Sequence, residues 1–304
     1  MDTDITVDAE LAAFDKADAL LRKVFGDGRD PLPVVRARLD DAMLDREIST
    51  AVDIEAATVG GVDSLTIAPS DSDPRHAVVW LHGGGYVMGS AKGYQGLAAD
   101  IAVASGARVI VPDYRLAPEH VFPAALDDAL AVLTEVMHTF GSGATVIAGD
   151  SAGGGLSFAA LTELCRGGGV LPAGCVTVSP LADLTASGAT YESNADADVV
   201  ITKRGVGAIR ATYAADLAPA DSRISPALGD LSGLPPALIL ASDREALLDD
   251  AVMLKDAISA VGGRVELSVY MRVCHAWPMF PFIPATGRAI EEIGQFVRAV
   301  TVAV

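Results

Sequence analysis

The chain has 304 residues, 51% of them hydrophobic, and a formal net charge of −18. That is enough apolar material for a sizeable core, while so acidic a surface repels nucleic-acid phosphates and anionic membranes. No apolar run approaches the roughly 20 residues of a membrane helix, the acidic start "MDTDITVDAE" lacks the parts of a signal peptide, and Cys165, Cys175 and Cys274 form neither a disulfide framework nor a zinc site, so a cytoplasmic protein is expected.

In chain order, the first 45 residues read as helical. Leu11, Phe14, Leu21 and Phe25 recur at helical spacing, and "DPLPVVRARLDDAM" (30–43) is a second helix with Pro31 and Pro33 near its start. These helices precede any strand, so they are expected to pack on a domain rather than build its sheet. Strand-like runs follow: "TAVDIEAATV", "SLTIAP", "AVVWLHG", "RVIVPDY", "TVIAGDS", "CVTVSP", "ALILAS" and "VELSVY". The first two alternate apolar with polar, like half-exposed antiparallel strands, and the later ones are continuous apolar runs, like strands covered on both faces. Helices are predicted between them at 92–105, 123–138, 154–166, 247–261 and 286–300. Alternating strands and helices predict an α/β fold with a mostly parallel sheet covered on both sides. "PSDSDPRH" (69–76) is an exposed loop. From 183 to 225 no strand is predicted, and "NADADVVITKRGVGAIRATYAAD" reads as helix beginning near Thr202.

"VIAGDSAGGGLS" carries Gly149-Asp150-Ser151-Ala152-Gly153 between a strand and a helix. A serine on so tight a turn is presented at the carboxyl end of the sheet. The helix behind it aims its first N–H groups at developing negative charge. A glycine turn that merely packs closely is the plainer alternative. Gly-x-Gly-x-x-Gly does not fit here, and no P-loop sequence occurs. "WLHGGGYVMGS" (80–90) follows another buried strand. Its bare amides can hold an oxyanion, and Gly83 and Gly84 are expected as donors together with Ala152. His82 is expected to anchor the loop by hydrogen bonding.

"HGGGYVMGS", "PDYRLAPEHVFPAALDDA" (112–129) and "GDSAGGGLS", in that order, resemble the hormone-sensitive-lipase-like family of α/β-hydrolases over roughly residues 60 to 300. The resemblance implies an eight-stranded, mostly parallel α/β-hydrolase sheet with helices on both faces and a helical cap. The cap is expected from residues 1–45 and the insertion 183–225, and the core from 46–182 and 226–304. The resemblance also implies carboxylester hydrolysis without cofactor or metal, usually of short acyl chains. Asp113, Arg115 and Glu119 are expected to form a buried polar network that positions the glycine loop.

In hydrolases of this fold the order is serine, acid, histidine. His275 is the one histidine after Ser151, a short loop beyond "VELSVY". The segment "ALILASDREALLDDA" (237–251) offers Asp243, Glu245, Asp249 and Asp250 as acids. The family's acid stands four residues before a second acidic residue with a leucine between, which Glu245, Leu247 and Asp249 match, although most members carry Asp-Pro there. Glu245 ranks first and Asp243 second. "MRVCHAW" lacks the glycine or proline common before the family histidine, so Arg272 is expected to crowd the site or read a polar group, and Cys274 to pack. Tyr86 and Trp277 are expected to line the substrate pocket.

The expectation is a serine carboxylesterase for a small uncharged ester. A lactone is the alternative, because "HAWPMFPFIPATGRAIEEIGQF" resembles the end of monoterpene ε-lactone hydrolases. Relatives that act as receptors or lyases supply readings of another class. The apolar end "FVRAVTVAV" is compatible with pairing of two copies through the last strand and helix, as the resemblance implies.

Overall fold

A computed structural model describes residues 2–26, 28–71 and 74–301. Residues 72–73 of the predicted surface loop and the last three of the apolar carboxyl end lie outside the described residues. Among the described residues eight strands form one sheet: β1 (Val52–Val59), β2 (Val62–Pro69), β3 (Ala77–Leu81), β4 (Arg108–Pro112), β5 (Thr145–Asp150), β6 (Gly174–Val178), β7 (Ala237–Ser242) and β8 (Val265–Tyr270). Their order across the sheet is β1-β2-β4-β3-β5-β6-β7-β8. The β1–β2 hairpin is antiparallel and joins β4 antiparallel, while all other pairings are parallel.

The sequence pattern explains this placement. β3, β5, β6 and β7 are buried at every residue, because crossover helices cover both faces of a parallel sheet. Along β3 successive side chains alternate between two cores. Ala77, Val79 and Leu81 face one, with α4 (Ala124–Phe140), α5 (Ala152–Arg166) and α8 (Leu248–Ala260). Val78 and Trp80 face the other, with α3 (Ala91–Ser105) and α9 (Pro284–Val300). β1 carries no fully buried residue and lies at the sheet edge.

Three further helices lie at the amino end of the chain and in the insertion: α1 (Asp2–Phe25), α2 (Leu32–Leu44) and α7 (Lys203–Tyr213), with a single turn α6 (Thr190–Ser193) before α7. The hydroxyl of Thr202 caps α7 by accepting the Gly205 N–H, so the sequence located this start well. No helix among the described residues is long and apolar enough to cross a membrane.

Strand order fixes where a site can form. After β3 the chain crosses to β4 on one side, and it later returns to β5 on the other. In an open α/β sheet such a reversal leaves a crevice at the carboxyl ends of the two strands. The glycine loop leaves β3 there, and Ser151 leaves β5.

Candidate active site

Ser151 joins β5 to α5 with φ 50° and ψ −120°. A side chain in this region is strained by about 1–3 kcal/mol. The turn is held in that shape: Ser151 N–H donates to Val178 O at 2.9 Å, and Ser151 O accepts from Leu181 N–H at 2.9 Å. Glycine is required on both sides. A Cβ on Gly153 would lie 1.9 Å from Leu81 O, and one on Gly149 would lie 2.5 Å from the same oxygen.

His275 follows β8, and Glu245 occupies the turn between β7 and α8. His275 Nε2 lies 3.0 Å from Ser151 Oγ, and His275 Nδ1 lies 2.8 Å from Glu245 Oε2. The other oxygen of Glu245 accepts the Ser242 N–H at 2.7 Å. All three side chains are buried, with Ser151 6%, His275 9% and Glu245 1% exposed. Burial alone would disfavour the imidazolium, but the hydrogen bond and charge of Glu245 outweigh it and raise the His275 pKa above the ordinary imidazole value. The arrangement can therefore take a proton from the serine hydroxyl and hold it.

Asp243, the second candidate acid, turns elsewhere: its Oδ1 accepts the Arg272 N–H at 2.7 Å. That bond holds Arg272 at φ 58°, a conformation in which glycine is the easier choice. The Arg272 residue is exposed and lies outside the cavity, so it neither crowds the site nor meets a ligand there. Cys274 is buried in the core beside α9, and burial pushes its thiol pKa up.

The glycine loop differs from expectation at one residue. Gly83 N–H is already donated to Tyr94 Oη at 2.9 Å. Tyr94 in turn donates to Asp150 Oδ2 at 2.7 Å, and Trp80 Nε1 donates to Asp150 Oδ1 at 3.2 Å. The amide of Gly83 is therefore already engaged, whereas Gly84 and Gly85 both line the cavity. Their N–H groups, like that of Ala152, meet no acceptor among the described residues. His82 Nδ1 lies 2.8 Å from Gly83 O, and its ring stacks on Tyr114 at 4.1 Å between centroids. Burial pulls the His82 pKa down to about 4, so this ring is neutral at pH 7.

Asp113, Arg115 and Glu119 do not form one buried network. All three are exposed and bind separate partners: Asp113 the Ala91 N–H, Arg115 the carboxylate of Asp128, and Glu119 the guanidinium of Arg36. Support for the loop comes instead from Tyr114, which donates to His82 O at 2.7 Å, and from Arg36, which donates to Val87 O at 2.6 Å. Tyr86 and Trp277 are also corrected. Tyr86 is buried in a stack on Tyr213 with centroids 4.0 Å apart, and Trp277 is buried against Tyr270. Neither lines the cavity, because each is consumed by packing.

That cavity, of about 220 Å³, opens above Ser151 and His275. α1 supplies Leu20, Leu21, Val24 and Phe25, α2 supplies Met43, and α7 supplies Ile209. The ionisable side chains on its wall are Asp150, His275 and Tyr94. Burial pushes the Asp150 carboxyl up to about 6, against the hydrogen bonds from Tyr94 and Trp80 that pull it down.

The sheet order, the strained serine turn and the histidine beyond the last strand together define an α/β-hydrolase. A family model for the alpha/beta hydrolase fold matches residues 78–279. An acetyl-hydrolase of Streptomyces hygroscopicus is 36% identical over 249 residues, 81% of this chain and 83% of its own. The carboxylesterase NlhH of Mycobacterium tuberculosis is 32% identical over 295 residues, 89% of this chain and 91% of its own. A crystal structure of an esterase from the bacterial hormone-sensitive lipase family superposes with a TM-score of 0.92 at 34% identity, covering 96% of this chain and 99% of that one. The chain belongs to the α/β-hydrolase family and, within it, to the esterase-type hormone-sensitive-lipase-like enzymes.

Proposed function

We propose that this enzyme hydrolyses small uncharged carboxylic esters through an acyl-enzyme on Ser151, with His275 as base and Glu245 as its orienting acid. The observation that carries this reading is the run of contacts at the cavity floor, 3.0 Å from Ser151 Oγ to His275 and 2.8 Å from His275 to Glu245. His275 accepts the hydroxyl proton as Oγ attacks the acyl carbon. The oxyanion is held by N–H groups of Gly84, Gly85 and Ala152. Collapse of the tetrahedral species breaks the acyl–oxygen bond, and the alcohol leaves with the proton from His275. Water then repeats the sequence and releases the acid. A neutral, small substrate is supported by the lining, which is mostly apolar and carries no Lys or Arg among the described residues.

A fluorophosphonate probe tests the assignment alongside hydrolysis of p-nitrophenyl acetate, butyrate and octanoate. The wild-type chain is expected to label and to release nitrophenol, fastest from the shorter esters, and Ser151→Ala to do neither. A receptor would leave both readouts blank. A lyase would label without releasing alcohol. Either result contradicts the proposal.

A further inference from the structure

Glu245 lies on a turn whose backbone is gripped by the insertion between β6 and β7. Three side chains spaced four residues apart make the grip. Thr190 Oγ1 donates to Ala246 O at 2.7 Å and accepts the Asp249 N–H at 3.1 Å. Asn194 Nδ2 donates to Asp243 O at 3.1 Å and to Glu245 O at 3.0 Å. Asp198 Oδ2 accepts the Ala246 N–H at 2.8 Å. Its second oxygen accepts the Val200 and Ile201 N–H groups, both at 2.9 Å. Val200 and Ile201 are part of the cavity wall. One buried carboxylate thus fastens the residue after Glu245 on one oxygen and the substrate wall on the other.

A local turn would need only the bonds to Val200 and Ile201. The bond to Ala246 spans 48 residues of chain and serves the acid turn. The grip also places the Asp198 carboxylate close enough to the triad for its charge to act on His275.

We propose that Asp198 is a positioning residue of the esterase site, setting the Glu245 turn together with Asn194 and adding its charge to that of Glu245 on the imidazolium formed at His275. This rests on the Ser151–His275–Glu245 reading. The charged groups that act on His275 are Glu245 from the turn after β7, Asp198 from the insertion and Asp150 from the end of β5, and all three favour its cation against burial. Asp18 of α1 also lies within reach of the Asp198 charge.

The test compares wild type, Asp198→Asn and Asn194→Ala on p-nitrophenyl acetate, with active molecules counted by fluorophosphonate titration so that misfolded chains do not enter. Asp198→Asn keeps the size and removes the charge. Its kcat is expected to fall about 10- to 100-fold, the loss typical of a misplaced reacting group, while KM moves less than about threefold. The acidic limb of kcat/KM reports deprotonation of His275. Asp198 raises that pKa, so the limb should move to lower pH in Asp198→Asn and stay in place in Asn194→Ala, which loses turnover alone. An Asp198→Asn enzyme with an unmoved limb, or with wild-type kcat, overturns the inference. A wild-type chain that neither labels nor hydrolyses overturns the esterase reading beneath it.

Discussion

The two walls of the cavity are built on different physics. The sheet-side wall rests on loops at strand ends whose polar atoms are fixed by short hydrogen bonds: Ser151 by Val178 and Leu181, and behind the wall Gly83 by Tyr94 and Glu245 by Ser242. The helix-side wall consists of apolar side chains from α1, α2 and α7. Hydrogen bonds specify angle as well as distance, whereas apolar contacts specify volume. The first wall can therefore hold a reacting geometry, and the second can only choose among sizes. Substitutions on the sheet side should act on turnover, and substitutions on the helix side on selectivity.

The sharpest break comes at Glu245. Glu245→Gln keeps the shape but presents the imidazole with a neutral amide. Steady-state kinetics should show kcat falling by about 10⁴-fold, as when an orienting carboxylate is neutralised in other triads. The raised His275 pKa should fall with it, because the carboxylate's hydrogen bond and charge are what hold it up. The residual activity should then reach its plateau at a lower pH than in wild type. An unchanged profile would detach Glu245 from the imidazole.

Tyr94→Phe is the next largest. It removes the acceptor of the Gly83 N–H and the donor to Asp150 Oδ2, leaving Trp80 on the other carboxylate oxygen, in a site where an unmet buried polar group costs about 1–3 kcal/mol. The effect should reach kcat through the glycine loop by about 10- to 100-fold, with KM for a short ester little altered. A loss confined to KM would place Tyr94 among the size-setting groups instead.

On the helix side, Leu21→Trp fills space above Ser151. The ratio of kcat/KM for octanoate to that for acetate should drop by about tenfold, the usual scale of hydrophobic size discrimination, while turnover of acetate stays near wild type. Equal losses on both esters would erase the distinction between the walls.

How far the sequence revealed the site follows from the same contrast. Ser151 was legible because its strained turn leaves a local signature, glycines two residues away on each side with a strand before and a helix after. His275 was legible by chain order. Glu245 and Asp243 stood two residues apart on one turn, and only the fold shows that one carboxylate meets the ring while the other caps the Arg272 amide. Three consecutive glycines look alike in sequence, so sequence alone does not show which of their amides are free. The Gly83 amide is claimed by Tyr94, eleven residues on, and that claim is tertiary. Tyr86 and Trp277 flank functional loops in the chain, yet an aromatic beside a turn is as free to point into the core, and both do. The polar segment 113–119 misled for the opposite reason. Its charges face solvent, and the neutral phenol of Tyr114 beneath them supports the loop. The sheet itself was easy, since continuous apolar runs between helices leave few other arrangements.

The central claim is that Ser151 is an activated nucleophile which forms an acyl-enzyme. A stopped-flow measurement with p-nitrophenyl acetate tests it most directly. A burst of one nitrophenol per chain should precede the steady state in the wild type and vanish in Ser151→Ala, with the acyl group recovered on the peptide containing residue 151. A burst that survives in Ser151→Ala, or an acyl group found on another residue, would contradict the account.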